Sequence, residues 1–295
     1  MIHHISCPLC ASDKISLLFN CTDHFISKEA FDLYKCSACG FVFTQDFPEE
    51  SEIGKYYESE EYISHSNTSK GFSNKIYRLA RNMMLRRKKS IVQKTTGLKK
   101  GNLLDIGSGT GHFAGTMKKA GWKVKGIEIN EKARNFSAGL FGIETAGPEN
   151  LTVLQTASFD CITLWHVLEH FHDPFKYAAE INRLLKPGGI CVIALPNSAS
   201  YDATHYGSFW AAFDVPRHLW HFNPDTFRLF AEKTGFNLYK IMSLPLDVFY
   251  ISALSEKYKG SGLSFFKGMA KAKWFTFKTF VNKERSSSII YILRK

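Results

Sequence analysis

Short apolar runs alternate with segments of helical period along the middle of the chain. In residues 102–130, an apolar run ends at Asp105, a glycine-rich turn and a helix-like segment follow, and a second apolar run ends at Glu128. This order of patterns is typical of a strand, a turn, a helix and a second strand parallel to the first. The stretch therefore predicts the first unit of an open α/β sheet.

The alternation continues to the end of the chain. The later pattern predicts a helix over about 130–140, strands over 142–145, 159–165 and 190–195, a helix before Thr234, a strand from Gly235 and a last strand over 287–293. Ahead of the first strand, residues 70–96 have apolar positions at helical spacing and basic residues on the other faces. This segment predicts a helix that covers an edge of the sheet.

Three glycines in five residues, Gly107, Gly109 and Gly111, follow the first predicted strand. Glycine lets the backbone turn sharply and leaves a surface without side chains, so a ligand can lie against the main chain. Glu128 ends the second strand about 20 residues later, where a carboxylate can accept hydrogen bonds from both hydroxyls of a ribose. Together these features indicate a cofactor that contains a nucleoside.

The glycine spacing differs from that of dinucleotide-binding folds. The pattern G-x-G-x-x-G would place a glycine three positions after Gly109, where this chain has His112. The order D-x-G-x-G-x-G, followed by an acidic residue, instead resembles the class I S-adenosylmethionine-dependent methyltransferases. The resemblance implies that Asp105 and the three glycines wrap the methionine part of the cofactor and that Glu128 holds its ribose.

Two further segments carry the same resemblance, which covers about residues 100–196. The sequence HVLEHFHDP follows the fourth predicted strand, and the turn L-K-P-G-G precedes the fifth. The resemblance implies a Rossmann-like, doubly wound α/β fold with a seven-stranded sheet, whose reversed last strand lies between the fifth and the sixth. Ile129 is expected to form an apolar wall beside the adenine. The full set of predicted cofactor contacts is Asp105, Gly107, Ser108, Gly109, Gly111, Glu128, Ile129, Trp165 and His166.

Two C-x-x-C pairs lie in the first 47 residues, which hold five of the seven cysteines. Cys7 pairs with Cys10, and Cys36 with Cys39, about 25 residues further on. This spacing is typical of a structural zinc site of four thiolates. Coordination would replace the hydrophobic core that so short a segment cannot build.

A different pair competes for the second half of this zinc site. Cys21 and His24 form a C-x-x-H pair that also fits metal geometry, but one tetrahedron cannot take both pairs. A glycine and alternating aromatic residues follow Cys39, which is the order of a knuckle and a strand in a zinc ribbon. Cys36 and Cys39 are therefore the predicted second pair.

The segment 196–222, after the fifth predicted strand, is rich in aromatic and titratable side chains. An enzyme that expels water and moves a proton needs both kinds of group. When the methyl acceptor is a hydroxyl, a histidine of near-neutral pKa suits removal of its proton. We predict His218 or His221 as this base, Arg217 as the anchor for an anionic substrate group, and His170 as a further catalytic candidate.

Composition and charge narrow the class of protein and its partners. The chain has 295 residues, of which 44% are hydrophobic, and a formal net charge of +11, which suits a packed protein with an anionic partner. No apolar run approaches the ~20 residues of a membrane span, and the start lacks a signal-peptide core. We therefore expect a cytoplasmic protein without a transmembrane segment.

An insertion at about 245–285 interleaves lysines with aromatic residues and predicts a basic amphipathic helix. Such a helix can lie on a membrane surface, dimerise or cover a substrate. Peripheral membrane contact through residues 265–283 is therefore one hypothesis for this segment. Packing against the protein's own sheet is the alternative.

The chain is predicted to have three regions: a zinc-ribbon-like domain at 1–47, a connector and covering helix at 48–99, and a methyltransferase domain at 100–295. The implied function is S-adenosylmethionine-dependent methyl transfer to a small-molecule acceptor, with a sugar or a lipid-linked biosynthetic intermediate as candidates. One alternative is an RNA methyltransferase whose ribbon grips RNA, although no N/D-P-P-Y/F/W sequence follows the fourth strand. Another is an interaction protein that keeps the cofactor fold without catalysis.

Overall fold

The computed structural model describes residues 1–57 and 72–295, with the side chains of its first helix described from Arg78 onward. Part of the predicted connector, residues 58–71, lies outside the described residues. So does the predicted start of the covering helix at residue 70.

Strands and helices alternate through the described chain. The strands are β1 (Ile15–Thr22), β2 (Ala30–Cys36), β3 (Val42–Thr44), β4 (Asn102–Ile106), β5 (Lys123–Ile127), β6 (Glu144–Ala146), β7 (Phe159–Trp165), β8 (Leu185–Pro196), β9 (Trp220–His221), β10 (Asn237–Leu244) and β11 (Ser288–Arg294). The α-helices are α1 (Phe72–Thr96), α2 (His112–Lys119), α3 (Glu131–Phe141), α4 (Pro174–Leu184), α5 (Tyr201–Tyr206), α6 (Pro224–Lys233), α7 (Asp247–Tyr258) and α8 (Ser264–Thr279).

The larger sheet has the strand order β10-β11-β8-β7-β4-β5-β6. Strands β4 to β8 run parallel, and β11 pairs antiparallel with both β8 and β10. The predicted seven-stranded, doubly wound sheet with its reversed strand is therefore confirmed. From β4 the chain moves toward one edge of the sheet through β5 and β6, and from β7 it moves toward the other edge through β8. Ligands of open α/β sheets bind at such a reversal of direction, which here lies between β4 and β7.

Several strand boundaries differ from the sequence prediction by one to five residues. The third strand of the sheet was expected at 142–145, whereas β6 spans Glu144–Ala146. The fifth was expected to begin at residue 190, whereas β8 begins at Leu185, opposite Phe159 of β7. The L-K-P-G-G sequence therefore lies within the paired strand, at a register shift, and does not precede it.

The smaller sheet joins the N-terminal segment to a distant part of the chain. Its order is β1-β2-β3-β9, and all neighbours are antiparallel. Phe43 of β3 lies opposite Trp220 of β9, and the ring of Trp220 stacks on that of Phe41 with centroids 6.2 Å apart. Because β9 comes from the segment after β8, the aromatic residues of that segment complete the N-terminal sheet.

The insertion folds as a hairpin of two helices, α7 and α8. A Cβ atom on Gly268 would come within 2.5 Å of the Cα of Ala253, so the glycine allows close approach of the helices. The side chains of Ala272 and Phe275 are buried on the same side of α8. Among the helices of residues 1–57 and 72–295, none is long and apolar enough to cross a bilayer.

Candidate functional site

The glycine turn after β4 forms an open backbone loop. Gly107, Gly109 and Gly111 all have positive φ angles, of 68°, 52° and 77°, which L-residues with a Cβ rarely adopt. A Cβ on Gly107 would lie 2.3 Å from Val167, and one on Gly111 would lie 2.0 Å from the Oγ of Ser137. Gly109 has no described atom within 4 Å of its Cβ position. The middle of the loop is thus open to a ligand, while its two ends pack closely.

Glu128 is fixed at the side of this loop. Its Oε2 accepts a hydrogen bond from the Gly109 N–H at 2.8 Å, and its Oε1 accepts one from the Asn130 N–H at 2.9 Å. Asn130 also caps α3, since its side chain accepts from the Ala133 N–H. Each carboxylate oxygen keeps a second lone pair for further donors. The carboxylate therefore has the fixed position and the acceptor capacity that a ribose diol requires.

Asp105 lies beneath the loop and not on its open face. The side chain is 2% exposed, and Oδ1 accepts a hydrogen bond of 2.6 Å from the Thr163 hydroxyl. Burial raises the pKa of Asp105 to about 7, although the Thr163 hydrogen bond and the Lys88 charge oppose that shift. The bond to Thr163 ties β4 to β7 under the loop. Direct contact of Asp105 with the cofactor stays a prediction.

The remaining predicted cofactor residues surround the same loop. Ser108 is buried, and its Oγ has no hydrogen-bond partner among the described residues. The same holds for the indole N–H of Trp165, at the end of β7. Ile129 is 78% exposed directly after Glu128. An exposed apolar side chain and unpartnered polar atoms beside an open loop fit a ligand with an adenine ring and polar substituents.

Lys88 of α1 also reaches this region, although no motif in the sequence marks it. Its Nζ lies over the Trp165 ring, 4.4 Å from the centroid. Burial lowers the pKa of Lys88, and the charges of Asp105 and Asp247 oppose that shift. In the sequence Lys88 stands within a run of four basic residues of α1, so helical periodicity alone could not separate it from solvated neighbours.

His166 follows β7 in a left-handed conformation, with φ of 60°. Its Nε2 lies 3.0 Å from Asp247 Oδ2, and its Nδ1 lies 3.5 Å from Glu169 Oε1. Burial alone would lower the pKa of His166, but the two carboxylates outweigh it and raise the pKa to about 9. His166 is therefore a cation near neutral pH. Asp247, at the start of α7, is a second site residue that sequence reasoning missed, because no motif marks it.

Glu169, His170 and His218 form a cluster next to His166. One potential ligand atom from each lies within 4.8 Å of the others. Glu169 is 1% exposed, and apart from the 3.5 Å ion pair of its Oε1 with His166, its carboxylate oxygens have no hydrogen-bond partner in the described part of the chain. Burial and the neighbouring His218 lower the pKa of His170 to about 4. The chemistry of these donors would allow them to hold a cation.

The tautomer of His218 follows from its contacts. Its Nδ1 lies 2.9 Å from the carbonyl oxygen of Ala212, and a carbonyl can only accept, so Nδ1 carries the hydrogen. Nε2 then has a free lone pair and lies 3.9 Å from Asp214 Oδ2. The rings of His218 and His170 meet edge to face at 4.6 Å. Of the predicted bases, His218 has the orientation that leaves an acceptor nitrogen near the cluster.

His221 is placed where it cannot act as predicted. It is 4% exposed on β9, and its Nε2 lies 3.1 Å from the Thr44 hydroxyl. That hydroxyl donates its own hydrogen to the His218 carbonyl, so His221 must donate to Thr44. Burial and the His218 charge lower the pKa of His221 well below its usual value. The geometry thus makes His221 a buried link between β3 and β9, because β9 completes the N-terminal sheet.

Arg217 is likewise engaged inside the protein. The guanidinium is 2% exposed. It donates to Asp214 from Nε and Nη2, to Asp23 from Nη1 and Nη2, and to the Tyr56 carbonyl from Nη1. These bonds use all five guanidinium N–H groups. The predicted role as substrate anchor is therefore not available, and Arg217 instead ties the segment after β8 to the N-terminal sheet.

Four cysteine thiols converge at one end of the N-terminal sheet. The Sγ atoms of Cys7 and Cys39 lie 3.6 Å apart, as do those of Cys10 and Cys36. Thiolates around tetrahedral zinc, at ~2.3 Å from the metal, are separated by roughly 3.8 Å. Burial acts against the Cys36 thiolate, but backbone N–H groups of Cys39 and Ala38 lower its pKa to about 7. The four sulfurs thus fit a zinc ion.

The competing pair lies elsewhere. Cys21 is buried in a separate apolar cluster with Phe31 and Leu33. The His24 ring stacks on Tyr258 with centroids 4.3 Å apart. Neither residue belongs to the group of four that could share one ion, and the choice of Cys36 and Cys39 agrees with this geometry.

Comparison with known proteins gives a family match and a fold match. A family model described as a methyltransferase domain matches residues 77–241, more than half of the chain. Two relatives are ubiquinone biosynthesis O-methyltransferases. That of Ralstonia nicotianae is 33% identical over 105 residues, which cover 33% of this chain and 44% of the relative. That of Xanthomonas oryzae pv. oryzae is 31% identical over 130 residues, covering 41% and 54%. The chain spans about half the length of the curated relatives it matches.

Solved structures of methyltransferases share the fold. The 1,6-didemethyltoxoflavin-N1-methyltransferase of Burkholderia thailandensis, with bound 1,6-didemethyltoxoflavin and S-adenosylhomocysteine, superposes with a TM-score of 0.53 at 14% identity. The superposition covers 92% of this chain and 98% of that one. A putative methyltransferase of Bacillus halodurans gives 0.51 at 17% identity, over 70% of this chain and 98% of that one. At these identities the likeness concerns the fold alone.

Proposed function

The chain belongs to the methyltransferase-domain family, and from that premise we propose that it transfers the methyl group of S-adenosylmethionine to an oxygen atom of a small-molecule acceptor. The observation that carries the proposal is the glycine loop with Glu128 fixed at its side through Gly109 and Asn130. The choice of oxygen rests on the relatives, which are named as O-methyltransferases. The identity of the acceptor is a separate question.

Each part of the cofactor would have a matching group in the structure. Glu128 would accept from the ribose hydroxyls, Ile129 would cover the adenine, and the open face of Gly109 would admit the sulfonium-bearing chain. Lys88 would pair with the methionine carboxylate, because its partly buried ammonium lies over the Trp165 ring at the end of β7. Bound there, the sulfonium supplies an electrophilic methyl group.

On the acceptor side, we assign proton removal to His218. Its Nε2 would take the proton of the acceptor hydroxyl as that oxygen bonds to the methyl carbon and the carbon–sulfur bond breaks. The buried carboxylate of Glu169 would then stabilise the imidazolium of His218. His166, held as a cation by Asp247 and Glu169, would orient the end of β7 and not act as a base.

The N-terminal sheet would hold this base in place. Zinc on Cys7, Cys10, Cys36 and Cys39 would have a structural role, because four thiolates leave no open position on the metal. The sheet of this segment includes β9, and β9 begins two residues after His218. The zinc ribbon would therefore position catalytic machinery and not bind RNA, although RNA remains an outcome of the experiment below.

The test is transfer of labelled methyl from S-adenosylmethionine into a bacterial extract that is separated into small molecules, lipid, RNA and protein. We expect label among small molecules or lipids. Label in RNA would replace the small-molecule acceptor with the RNA alternative, and no transfer to any fraction would favour a non-catalytic protein.

Glu128→Gln tests the assignment of the ribose within the same assay. The variant loses one charge-assisted acceptor, so the Kd for S-adenosylmethionine should rise about 10- to 100-fold. Glu144→Gln is the matched control, since Glu144 is exposed and pairs with Lys125 on the surface of the adjacent strand. Equal affinity of both variants, measured by calorimetry, would remove Glu128 from the cofactor site.

A further inference from the structure

The outer face of α8 carries large apolar side chains that the rest of the described chain does not cover. Leu263, Phe266, Trp274, Phe277 and Val281 are between 56% and 89% exposed. Together with Ala270, these residues are spaced three or four positions apart and therefore lie on one side of the helix. Leu263 stands just before the start of α8, and Val281 just after its end. Trp274 and Phe277 stack with ring centroids 6.0 Å apart.

This apolar face is basic at its margins. Helix α8 contains four lysines and no acidic residue. One of the four, Lys271, pairs with Glu256 on α7, and Lys267 and Lys273 are exposed. Lysine side chains can extend their ammonium groups away from a buried apolar surface toward phosphate groups. The partner that this combination fits is apolar inside and anionic at its surface.

The opposite side of α8 is already used. Gly268, Ala272 and Phe275 are buried, and α8 packs closely on α7 at Gly268 and Ala253. Since the packed side and the exposed side are distinct, the exposed apolar residues are not part of the protein core. They also do not cover the candidate site, because they face away from the helix that reaches it.

We propose that the outer face of α8 binds the surface of a bilayer that contains anionic lipid. The helix would lie in the interface, with Phe266, Trp274 and Phe277 inserted among the acyl chains and Lys267 and Lys273 at the headgroups. Helix α7, on which α8 packs, begins at Asp247, which contacts His166 in the candidate site. Docking through α8 would therefore hold that site close to the membrane surface.

Co-sedimentation with vesicles tests the proposal without any assay of methyl transfer. The full-length protein should sediment with vesicles of phosphatidylcholine mixed with phosphatidylglycerol, and much less with phosphatidylcholine alone. Trp274 is the most exposed tryptophan, so binding should also shift the tryptophan emission to shorter wavelength. Failure to sediment with the mixed vesicles would overturn the proposal.

Two sets of substitutions identify the surface. The triple variant Phe266→Ser, Trp274→Ser and Phe277→Ser should lower vesicle affinity by about 100-fold or more, since each large apolar side chain contributes roughly tenfold. Lys267→Glu with Lys273→Glu should remove most of the preference for anionic vesicles. The control triple, Leu140→Ser, Val153→Ser and Tyr239→Ser, removes apolar residues that are comparably exposed on other faces and should bind as the wild type does.

The outcomes distinguish a membrane from a second copy of the chain as the binding partner of the outer face of α8. Unchanged affinity for S-adenosylmethionine in the α8 variants shows that the fold is intact. If the wild type is a dimer without lipid, and the α8 triple variant is a monomer by analytical ultracentrifugation, the face is a subunit interface and the proposal fails. Equal vesicle binding by the α8 triple variant and the control triple would also refute it.

Discussion

The glycine loop at 107–111 and the segment 196–222 both follow strands of the same sheet, yet their side chains find their partners in different ways. At the loop, Glu128 contacts Gly109, only 19 residues away. In the segment, Arg217 contacts Asp23, 194 residues away, and His221 contacts Thr44, 177 residues away. The loop is a local structure that leaves an open face, whereas most of the segment's polar groups are satisfied internally. A high density of titratable residues in sequence therefore identifies a site only when their partners are known.

Among the substitutions proposed here, loss of the proposed zinc ion should have the largest effect on stability. Cys36→Ser takes away one thiolate of the four-cysteine cluster, and we expect loss of stoichiometric zinc together with about 5 kcal/mol or more of the free energy of unfolding, because binding of structural zinc is coupled to folding. Metal analysis and urea denaturation measure the two effects. Cys21→Ser is the control, and zinc loss in that variant instead would return Cys21 and His24 to the ligand set.

Arg217→Met tests whether the segment is tied to the N-terminal sheet through a buried charge pair. Burial alone would raise the pKa of Asp23, but hydrogen bonds from Arg217 and from the backbone of Ser27 lower it well below its usual value. Without the guanidinium, a buried carboxylate is left unpaired, and we expect a loss of about 3–5 kcal/mol in urea unfolding.

Arg228→Met is the matched control for that substitution. Arg228 also bridges two carboxylates, Asp225 and Glu284, but it is 42% exposed. Exposed pairs contribute about 1 kcal/mol or less. Equal losses in the two variants would mean that Arg217 is not the structural link we describe.

Lys88→Met tests the proposed contact between Lys88 and the cofactor beside the glycine loop. If Lys88 pairs with the methionine carboxylate, its loss should weaken S-adenosylmethionine about tenfold, equivalent to ~1.4 kcal/mol. Lys94→Met, at an exposed position of the same helix, should leave the Kd unchanged. Adenosine lacks the carboxylate, so its affinity for Lys88→Met should equal that for the wild type. A parallel loss of adenosine affinity would point to a disturbed loop.

The pair of His166 and Asp247 predicts a smaller effect that depends on pH. The folded pKa of His166, about 9, lies above its unfolded value of 6.5. The stability that the pair contributes is therefore fully present below about pH 6.5 and is lost as pH rises toward 9. Because His166 is partly exposed, we expect about 1 kcal/mol.

Urea unfolding between pH 6 and 10 measures this contribution as the difference between the wild type and Asp247→Asn. The difference should shrink as pH rises through 9. Asp225→Asn alters an exposed carboxylate and should give a difference that does not change over this range. A constant difference for Asp247→Asn would show that Asp247 does not raise the pKa of His166.

The alternation of strands and helices and the glycine loop could be predicted because both depend on local features, whereas the order of the strands was predicted from the resemblance to the methyltransferase family. Alternating apolar runs and positive φ angles at Gly107, Gly109 and Gly111 are determined by residues close in sequence. The two cysteine pairs were also recognisable, since ligand spacing within each knuckle is local. The predicted base could be narrowed only to His218 or His221, whose surroundings differ in the structure because β9 carries His221 into the N-terminal sheet.

What the sequence by itself determined is the alternation of strands and helices, the glycine loop followed by Glu128, and the two cysteine pairs; the doubly wound sheet followed from the family resemblance that these motifs carry. Only the tertiary structure decided that β9 joins β3, that Arg217 is neutralised by Asp23 and Asp214, and that Lys88 and Asp247 reach the end of the sheet. The physical reason is that backbone periodicity and turn geometry are fixed by neighbouring residues. The partner of a charge, in contrast, depends on which surfaces are packed together and removed from water.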